Sequence, residues 1–152
     1  MVEVGDKAPG FELVSDTGEH VKLSDFEGRK VVLYFYPKAG TSGCTKQACA
    51  LRDAYPQIEA GDAEVIGISP DDPKDLQKFR EKYDLPFLLL SDPDHEVAEA
   101  YGAWGEKKMY GKTYEGIIRS HFVIDENGRL SEAKLKVKPL STADLAIKMV
   151  EV

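Results

Sequence analysis

Residues 31–49 read VVLYFYPKAGTSGCTKQAC and combine the signals of a strand, a loop and a helix start. The run VVLYFY is continuously apolar and rich in β-branched and aromatic residues, which is typical of a buried strand. Pro37 ends that run, two glycines follow, and a helical pattern begins at or near Cys44. The stretch therefore predicts a strand that leads through a tight loop into a helix carrying both cysteines of the chain, Cys44 and Cys49.

Strand-like and helix-like runs continue to alternate after this stretch. EVIGIS (64–69) and PFLLLS (86–91) have the length and composition of buried strands, and the amphipathic run DPKDLQKFREKY (72–83) separates them. A βαβαβ order predicts parallel strands, because a crossover helix returns the chain to the starting edge of the sheet. We therefore predict an α/β fold with a central, mainly parallel mixed sheet flanked by helices.

Two hairpins and a terminal helix are predicted around these strands. FELVSDTGEHVKL (11–23) predicts an N-terminal β-hairpin that turns at residues 16–18. RSHFVI and LSEAKLKV predict a second hairpin with its turn at residues 126–128, since the dipeptide Asn-Gly favours tight turns. Ser141 is the predicted cap of a last helix, STADLAIKMVEV. GAWGEKKMYGKTYEG (102–116) is predicted to be a long loop, and long ordered loops often border a functional site.

Length and charge limit the classes of partner. A chain of 152 residues with 42% apolar residues fits one domain over residues 1–152. A net charge of -7 argues against nucleic acid or an anionic membrane as a partner, because both require clustered lysine and arginine. The start MVEVGDKAPG has no leader pattern, and no segment has the length and apolarity of a membrane span. We therefore expect a cytoplasmic protein, in which a structural disulfide is disfavoured.

The positions of the two cysteines favour a chemical role. A sulfur in the first helical turn faces unpaired backbone N–H groups and the positive end of the helix dipole, which favour the nucleophilic thiolate. At about 100° per residue, Cys44 shares an inward face with Ala48 and Leu51, whereas Cys49 lies roughly 140° away and is predicted to face solvent. Five helical residues separate Cα atoms by roughly 8 Å, so a disulfide between these cysteines requires the helix to unwind.

Two other readings of the cysteines stay open at this point. Both could be inert packing residues, which is the commoner fate of a free cysteine. A metal site is disfavoured, because a lone CxxxxC and the scattered His20, His95 and His121 lack the usual ligand spacing. We predict no metal and no other cofactor.

The wider sequence resembles a known family. Pro37-x-x-x-Thr41-x-x-Cys44 resembles the active-site motif of peroxiredoxins. The segments YFYPKAGTSGCTKQACALRD, SPDDPKDLQKF and LLSDPDHEVAEAYGAWGEKKMYGKTYEGIIRSHFVID resemble the bacterioferritin-comigratory, or Q-type, subfamily over nearly the whole chain. The resemblance implies a thioredoxin-like fold, reduction of hydrogen peroxide and organic hydroperoxides, recycling by thioredoxin or a similar dithiol protein, and a monomer.

The resemblance also implies a role for each matching residue. Cys44 would be the peroxidatic nucleophile, and Cys49 would resolve its sulfenic acid as an intramolecular disulfide. Thr41 would hydrogen-bond the thiolate and the peroxide, Pro37 would close the pocket, and Arg119 would stabilise the thiolate and polarise the peroxide. The predicted substrate-binding residues are Thr41, Gly43, Cys44 and Arg119.

Ordinary structural roles compete with several of these assignments. Thr41 could cap the helix, Arg119 could form a surface salt bridge, and Gln47 could either tether the loop or be solvated. His121 departs from the family, which usually has a small hydroxyl or similar residue there. Its titration could modulate the site, and a neutral histidine, either packed or exposed, is the expected form. Two rival functions remain, a protein thiol-disulfide oxidoreductase and a non-catalytic peroxide-responsive redox sensor. The absence of a CxxC motif favours peroxide reduction over general disulfide exchange.

Overall fold

The strand predicted at residues 31–36 lies inside a mixed sheet in the computed structural model, which describes residues 2–150. Within those residues the sheet has seven strands, and a separate two-stranded hairpin, four α-helices and a short 3-10 helix (Leu23–Phe26) accompany it. The sheet contains β1 (Glu12–Ser15), β2 (His20–Lys22), β3 (Lys30–Phe35), β4 (Ala63–Ser69), β5 (Leu88–Ser91), β8 (Ser120–Ile124) and β9 (Leu130–Lys134). The other elements are α1 (Ser42–Ala60), α2 (Pro73–Tyr83), α3 (Glu96–Ala100), β6 (Trp104–Met109), β7 (Lys112–Ile117) and α4 (Ser141–Val150).

The strand order is β2-β1-β5-β4-β3-β8-β9. Strand β4 pairs in parallel with β3 and β5, as the alternating strand and helix pattern predicts. The pairings of β1 with β2 and β5, and of β8 with β3 and β9, are antiparallel. The predicted α/β fold with a central mixed sheet is confirmed, and the parallel part is limited to the three strands at its centre.

Side-chain alternation along β3 divides the apolar core into two layers. Val32 and Tyr34 belong to the layer under α1, α2 and α4, whereas Leu33 and Phe35 belong to the layer on the opposite face, with residues of α3 and β7. All four side chains are fully buried. Both faces of β3 are therefore covered, which fixes its carboxyl end and the start of α1 relative to the sheet.

Both predicted hairpins are present. β1 pairs with β2 in the register Leu13↔Val21, and β8 pairs with β9 in the register Phe122↔Ala133. In the second turn Gly128 has a φ of +79°, a left-handed conformation that glycine adopts without a steric penalty. The terminal helix begins at Ser141, and residues 151 and 152 of that prediction lie outside the described residues. The Ser141 hydroxyl donates to the Lys138 carbonyl at 2.8 Å, so the prediction that Ser141 caps this helix is not confirmed.

The prediction of a long loop at residues 102–116 is wrong, because this segment forms the hairpin β6–β7. Its two-residue turn consists of Tyr110 and Gly111, with φ of +52° and +76°. Tyrosine rarely adopts the left-handed conformation, so the sequence lacks the usual turn signal there. The Trp104 ring stacks on the His95 ring at a centroid distance of 3.7 Å, which fixes the hairpin against α3. Within residues 2–150, no helix combines the length and apolarity needed to cross a membrane.

His121 is a packed residue of β8, which decides between the packed and exposed forms that the sequence left open. Its ring is 3% exposed, and its Nδ1 lies 2.9 Å from the Oγ1 of Thr142 in α4. Burial, together with the positive charge of Lys134 on the paired strand β9, lowers the pKa of His121 to about 4. The folded protein therefore resists protonation of this ring in mild acid.

This burial predicts a loss of stability in mild acid. The unfolded chain protonates His121 near pH 6.5, whereas the folded protein does so only near pH 4. The contribution of the neutral, buried ring to stability is therefore fully present above pH 6.5 and is lost as the pH falls from 6.5 to 4. Urea unfolding at pH 7 and pH 4.5 is expected to show wild type losing roughly 2 kcal/mol more than His121→Asn. His20→Asn, at an exposed histidine, is the matched control and should lose stability like wild type. Equal losses for wild type and His121→Asn would contradict this account.

Candidate active site

Helix α1 starts after the short loop that follows the carboxyl end of β3, with Thr41 as its N-cap. Cys44 is the third residue of α1 and is 1% exposed. The bond from the Thr45 N–H to the Thr41 carbonyl, 2.9 Å long, is the first that spans a full helical turn. The N–H groups of residues 42–44 precede this bond and point out of the helix end, toward the region around the sulfur.

The loop before α1 is held by Asp71, a residue that the sequence analysis did not single out. The Ala39 N–H and the Ser69 hydroxyl each donate to Oδ2 of Asp71 at 2.7 Å. Asp71 follows β4, whose carboxyl end lies beside that of β3 in the parallel pair. Its position after a buried strand, in the run SPDD, is the sequence signal that could have identified it.

Arg119 lies beside Cys44, as the family resemblance implies. It immediately precedes β8, and the pairing Phe35↔Ser120 brings that end of β8 to the carboxyl end of β3. The Nη2 of Arg119 donates to the sulfur of Cys44 at 3.4 Å. A surface salt bridge is therefore not the main role of this arginine, whose permanent positive charge faces a buried sulfur.

Gly43 provides the space that this arginine occupies. A Cβ built on Gly43 would lie 2.9 Å from Nη2 of Arg119 and 3.5 Å from Cγ of Pro139. The first of these distances is too short for a nonbonded contact between heavy atoms of these types. A side chain at position 43 would therefore displace the guanidinium group from the sulfur.

Gln47 connects the arginine to helix α4. Its side chain is buried, its Oε1 accepts a hydrogen bond from Nη1 of Arg119 at 2.6 Å, and its Nε2 donates to Oγ1 of Thr142 at 2.9 Å. Of the two alternatives left by the sequence, the structure supports the tether. The hydrogen-bonded chain continues from Thr142 to His121.

Thr41 and Pro37 belong to the segment that leads from β3 into α1. The Thr41 hydroxyl is exposed and donates to the Lys38 carbonyl at 2.8 Å, so within the described residues it does not cap the helix through its side chain. Its oxygen keeps lone pairs that can accept a hydrogen bond. Pro37 is half-buried two residues beyond the end of β3.

Cys49 is separated from Cys44 by about 1.4 turns of continuous helix. Both thiols are free, and Cys49 is half-buried, less exposed than its predicted solvent-facing position implies. A separation of five helical residues corresponds to roughly 7.5 Å along the axis, which exceeds the Cα separations of ordinary disulfides. The two sulfurs therefore cannot bond unless the first turns of α1 unwind.

An open cleft of about 770 Å³ adjoins the site, with Arg119 in its wall. Its lining residues are Glu106, Lys107, Lys108, Ile118, Arg119, Lys136 and Val137. The Nζ of Lys107 donates to the Ile117 carbonyl at 2.8 Å, and burial and the charge of Arg119 lower the pKa of Lys107. A second cleft, of about 500 Å³, is lined by residues around Arg29 and Asn127 and contains none of the predicted site residues.

Comparison with known sequences identifies the family. The model of the AhpC/TSA family matches residues 4–133. The chain is 53% identical over 137 residues to peroxiredoxin Bcp of Bacillus subtilis, which covers 90% of this chain and 87% of that protein. It is 51% identical over 129 residues to peroxiredoxin Bcp of Escherichia coli strain K12, which covers 85% of this chain and 83% of that protein.

Solved structures agree with the sequence relatives. PrxQ of Xylella fastidiosa, in a mutant form, matches with a TM-score of 0.92 at 31% identity, covering 99% of this chain and 96% of that chain. The bacterioferritin comigratory protein of Xanthomonas campestris, studied for its alkyl peroxide reduction activity, matches with a TM-score of 0.88 at 31% identity and the same coverage. The expected thioredoxin-like fold is thereby confirmed, and the chain belongs to the AhpC/TSA family as a peroxiredoxin of the bacterioferritin-comigratory, or Q, type.

Proposed function

We propose that Cys44 is the nucleophile through which this peroxiredoxin reduces hydrogen peroxide and organic hydroperoxides, with Cys49 as the resolving cysteine. The contact between Nη2 of Arg119 and the Cys44 sulfur, 3.4 Å long at a helix N-terminus, is the observation that carries this proposal. Two independent sources of positive potential, the guanidinium and the helix dipole, converge on one buried sulfur. This arrangement stabilises the negative charge that develops during attack on the peroxide.

In the first step the Cys44 thiolate attacks one oxygen of the peroxide. An S–O bond forms, the O–O bond breaks, and the leaving oxygen takes the electron pair and a proton to become water or an alcohol. Sulfur is oxidised by two electrons to a sulfenic acid, and the peroxide is reduced by two. Arg119 and the N–H groups of residues 42–44 stabilise the negative charge on the oxygens, and the Thr41 oxygen accepts a hydrogen bond from the peroxide.

Substrate access and size follow from the surroundings of the sulfur. The cleft beside Arg119 has the volume of a small-molecule site, which supports reduction of hydroperoxides larger than hydrogen peroxide itself. Gly43 contributes by leaving room for the guanidinium next to the sulfur. Pro37 covers the loop side of the pocket, so that fewer water molecules reach the thiolate.

In the second step the first turns of α1 unwind and bring Cys49 to Cys44. The Cys49 sulfur attacks the sulfenic sulfur, an S–S bond forms, and the hydroxyl group leaves with a proton as water. Thioredoxin or a similar dithiol protein then reduces the disulfide by thiol-disulfide exchange. We further propose that the protein acts as a monomer with one domain over residues 1–152, in the cytoplasm, where both thiols are kept reduced.

Removal of the arginine charge tests the first step. Arg119→Met keeps much of the side-chain volume but removes the donors and the charge. The rate constant for oxidation by hydrogen peroxide, measured by stopped flow, is expected to fall by about 10²- to 10³-fold. Arg129→Met, at an arginine bonded to the Gly5 carbonyl, is the matched control and should keep the wild-type rate. A change of less than about twofold in Arg119→Met would contradict the assignment.

Displacement of the same arginine without loss of its charge gives a second prediction. Gly43→Ala places a methyl group against Nη2 and is expected to slow peroxide reduction by about 10- to 100-fold, because the guanidinium moves away from the sulfur. Helix stability should not suffer, since alanine is the better helix former. Gly10→Ala is the control, because a Cβ there meets no atom within 4 Å. Equal peroxidase rates in the two variants would show that Gly43 does not position Arg119.

A further inference from the structure

The hydrogen-bonded chain Arg119–Gln47–Thr142–His121 is not needed to describe the chemical steps, and the orientation of its Gln47 amide is fixed. Arginine can only donate, so Oε1 of Gln47 must face Arg119 and the amide NH₂ must face Thr142. The Thr142 oxygen therefore accepts from Gln47, and its own hydrogen is available to donate to Nδ1 of His121. In that arrangement His121 is neutral and carries its proton on Nε2.

Each link of this chain is short, and the links from Gln47 onward are shielded from water. Its three hydrogen bonds measure 2.6, 2.9 and 2.9 Å. Gln47 and Thr142 are 0% exposed, and His121 is 3% exposed. Buried hydrogen bonds of this kind are costly to break without replacement, because a desolvated donor or acceptor is left unpaired.

Gln47 lies between the two cysteines in sequence. Within residues 2–150, the side-chain hydrogen bonds that join residues 42–49 to other elements are those of Gln47 to Arg119 and Thr142, and that of Arg119 to Cys44. Unwinding of α1 between Cys44 and Cys49 must move Gln47. The bond to Thr142 therefore opposes the rearrangement that disulfide formation needs.

We propose that Thr142, supported by His121, is a positioning residue that acts through Gln47 to hold Arg119 at the sulfur and to keep the first turns of α1 helical. The two effects act on different steps. An ordered Arg119 accelerates attack on the peroxide, whereas an ordered helix slows the approach of Cys49 to the sulfenic acid. The chain thus sets how long the sulfenic acid persists, and this inference rests on the proposed roles of Cys44 and Cys49.

Thr142→Val tests the proposal, because valine has nearly the same shape and lacks the hydroxyl. Rapid-quench experiments with one equivalent of hydrogen peroxide would follow sulfenic acid formation and disulfide formation separately. The first rate constant is expected to fall by roughly three- to tenfold and the second to rise by a similar factor. Thr142→Ser restores the hydroxyl and should return both rate constants toward the wild-type values.

Two further measurements separate positioning from a general loss of stability. His121→Phe removes the hydrogen-bond partner of Thr142. It should slow sulfenic acid formation and accelerate disulfide formation, each to a smaller extent than Thr142→Val. Ser141→Ala is the control, because the neighbouring Ser141 hydroxyl donates to the Lys138 carbonyl and lies outside the chain. This variant should change neither rate constant. Amide hydrogen exchange of residues 42–49 in the reduced protein should be faster in Thr142→Val than in wild type.

The outcomes distinguish this inference from the proposed function. If wild type reduces peroxide through both cysteines while Thr142→Val leaves both rate constants unchanged, or lowers both, the positioning role is wrong and the proposed function stands. If wild type forms neither a sulfenic acid nor a disulfide with peroxide, the proposed function fails, and this inference fails with it.

Discussion

One guanidinium group must lie beside one buried sulfur, and much of the local sequence serves this contact. Arg119 reaches Cys44 because β8 pairs with β3 in a register that brings Ser120 opposite Phe35. Gly43 leaves the space for it, and Gln47 holds its other nitrogen. The positive charge matters here because the sulfur is buried, and an electrostatic interaction with a buried group is stronger than one in solvent.

A second constraint opposes the first. The nucleophile needs a rigid, folded helix N-terminus, but the proposed resolving cysteine lies on the same helix at a separation that forbids a disulfide. Residues 42–49 must therefore be stable enough to hold Cys44 for attack and weak enough to unwind afterwards. The few side-chain hydrogen bonds that join this segment to the rest of the protein suit both demands, since their loss costs a limited amount of free energy.

The sequence predicted the parts of this structure that depend on local patterns. Apolar runs located β3, β4 and β5, the dipeptide Asn127-Gly128 located a turn, and helical spacing put Cys44 on the buried face of α1. It did not predict the β6–β7 hairpin, because Tyr110 takes a left-handed conformation that its side chain disfavours.

Contacts between residues that are distant in the chain could not be predicted from local sequence patterns. Arg119 was selected only through the family resemblance, since 75 residues separate it from Cys44 and no local pattern links them. The bond between Gln47 and Thr142, 95 residues apart, depends on how α1 and α4 pack, which no periodicity reveals.

The reaction of Cys44 with peroxide and its resolution by Cys49 can be tested by measuring the intact mass and the free-thiol count of the reduced protein. Both are measured before and after addition of one equivalent of hydrogen peroxide. Loss of both thiols and of two hydrogen atoms from a monomer within seconds is the expected result, whereas unchanged thiols after minutes, or added oxygen with Cys49 still free, would show that this assignment is wrong.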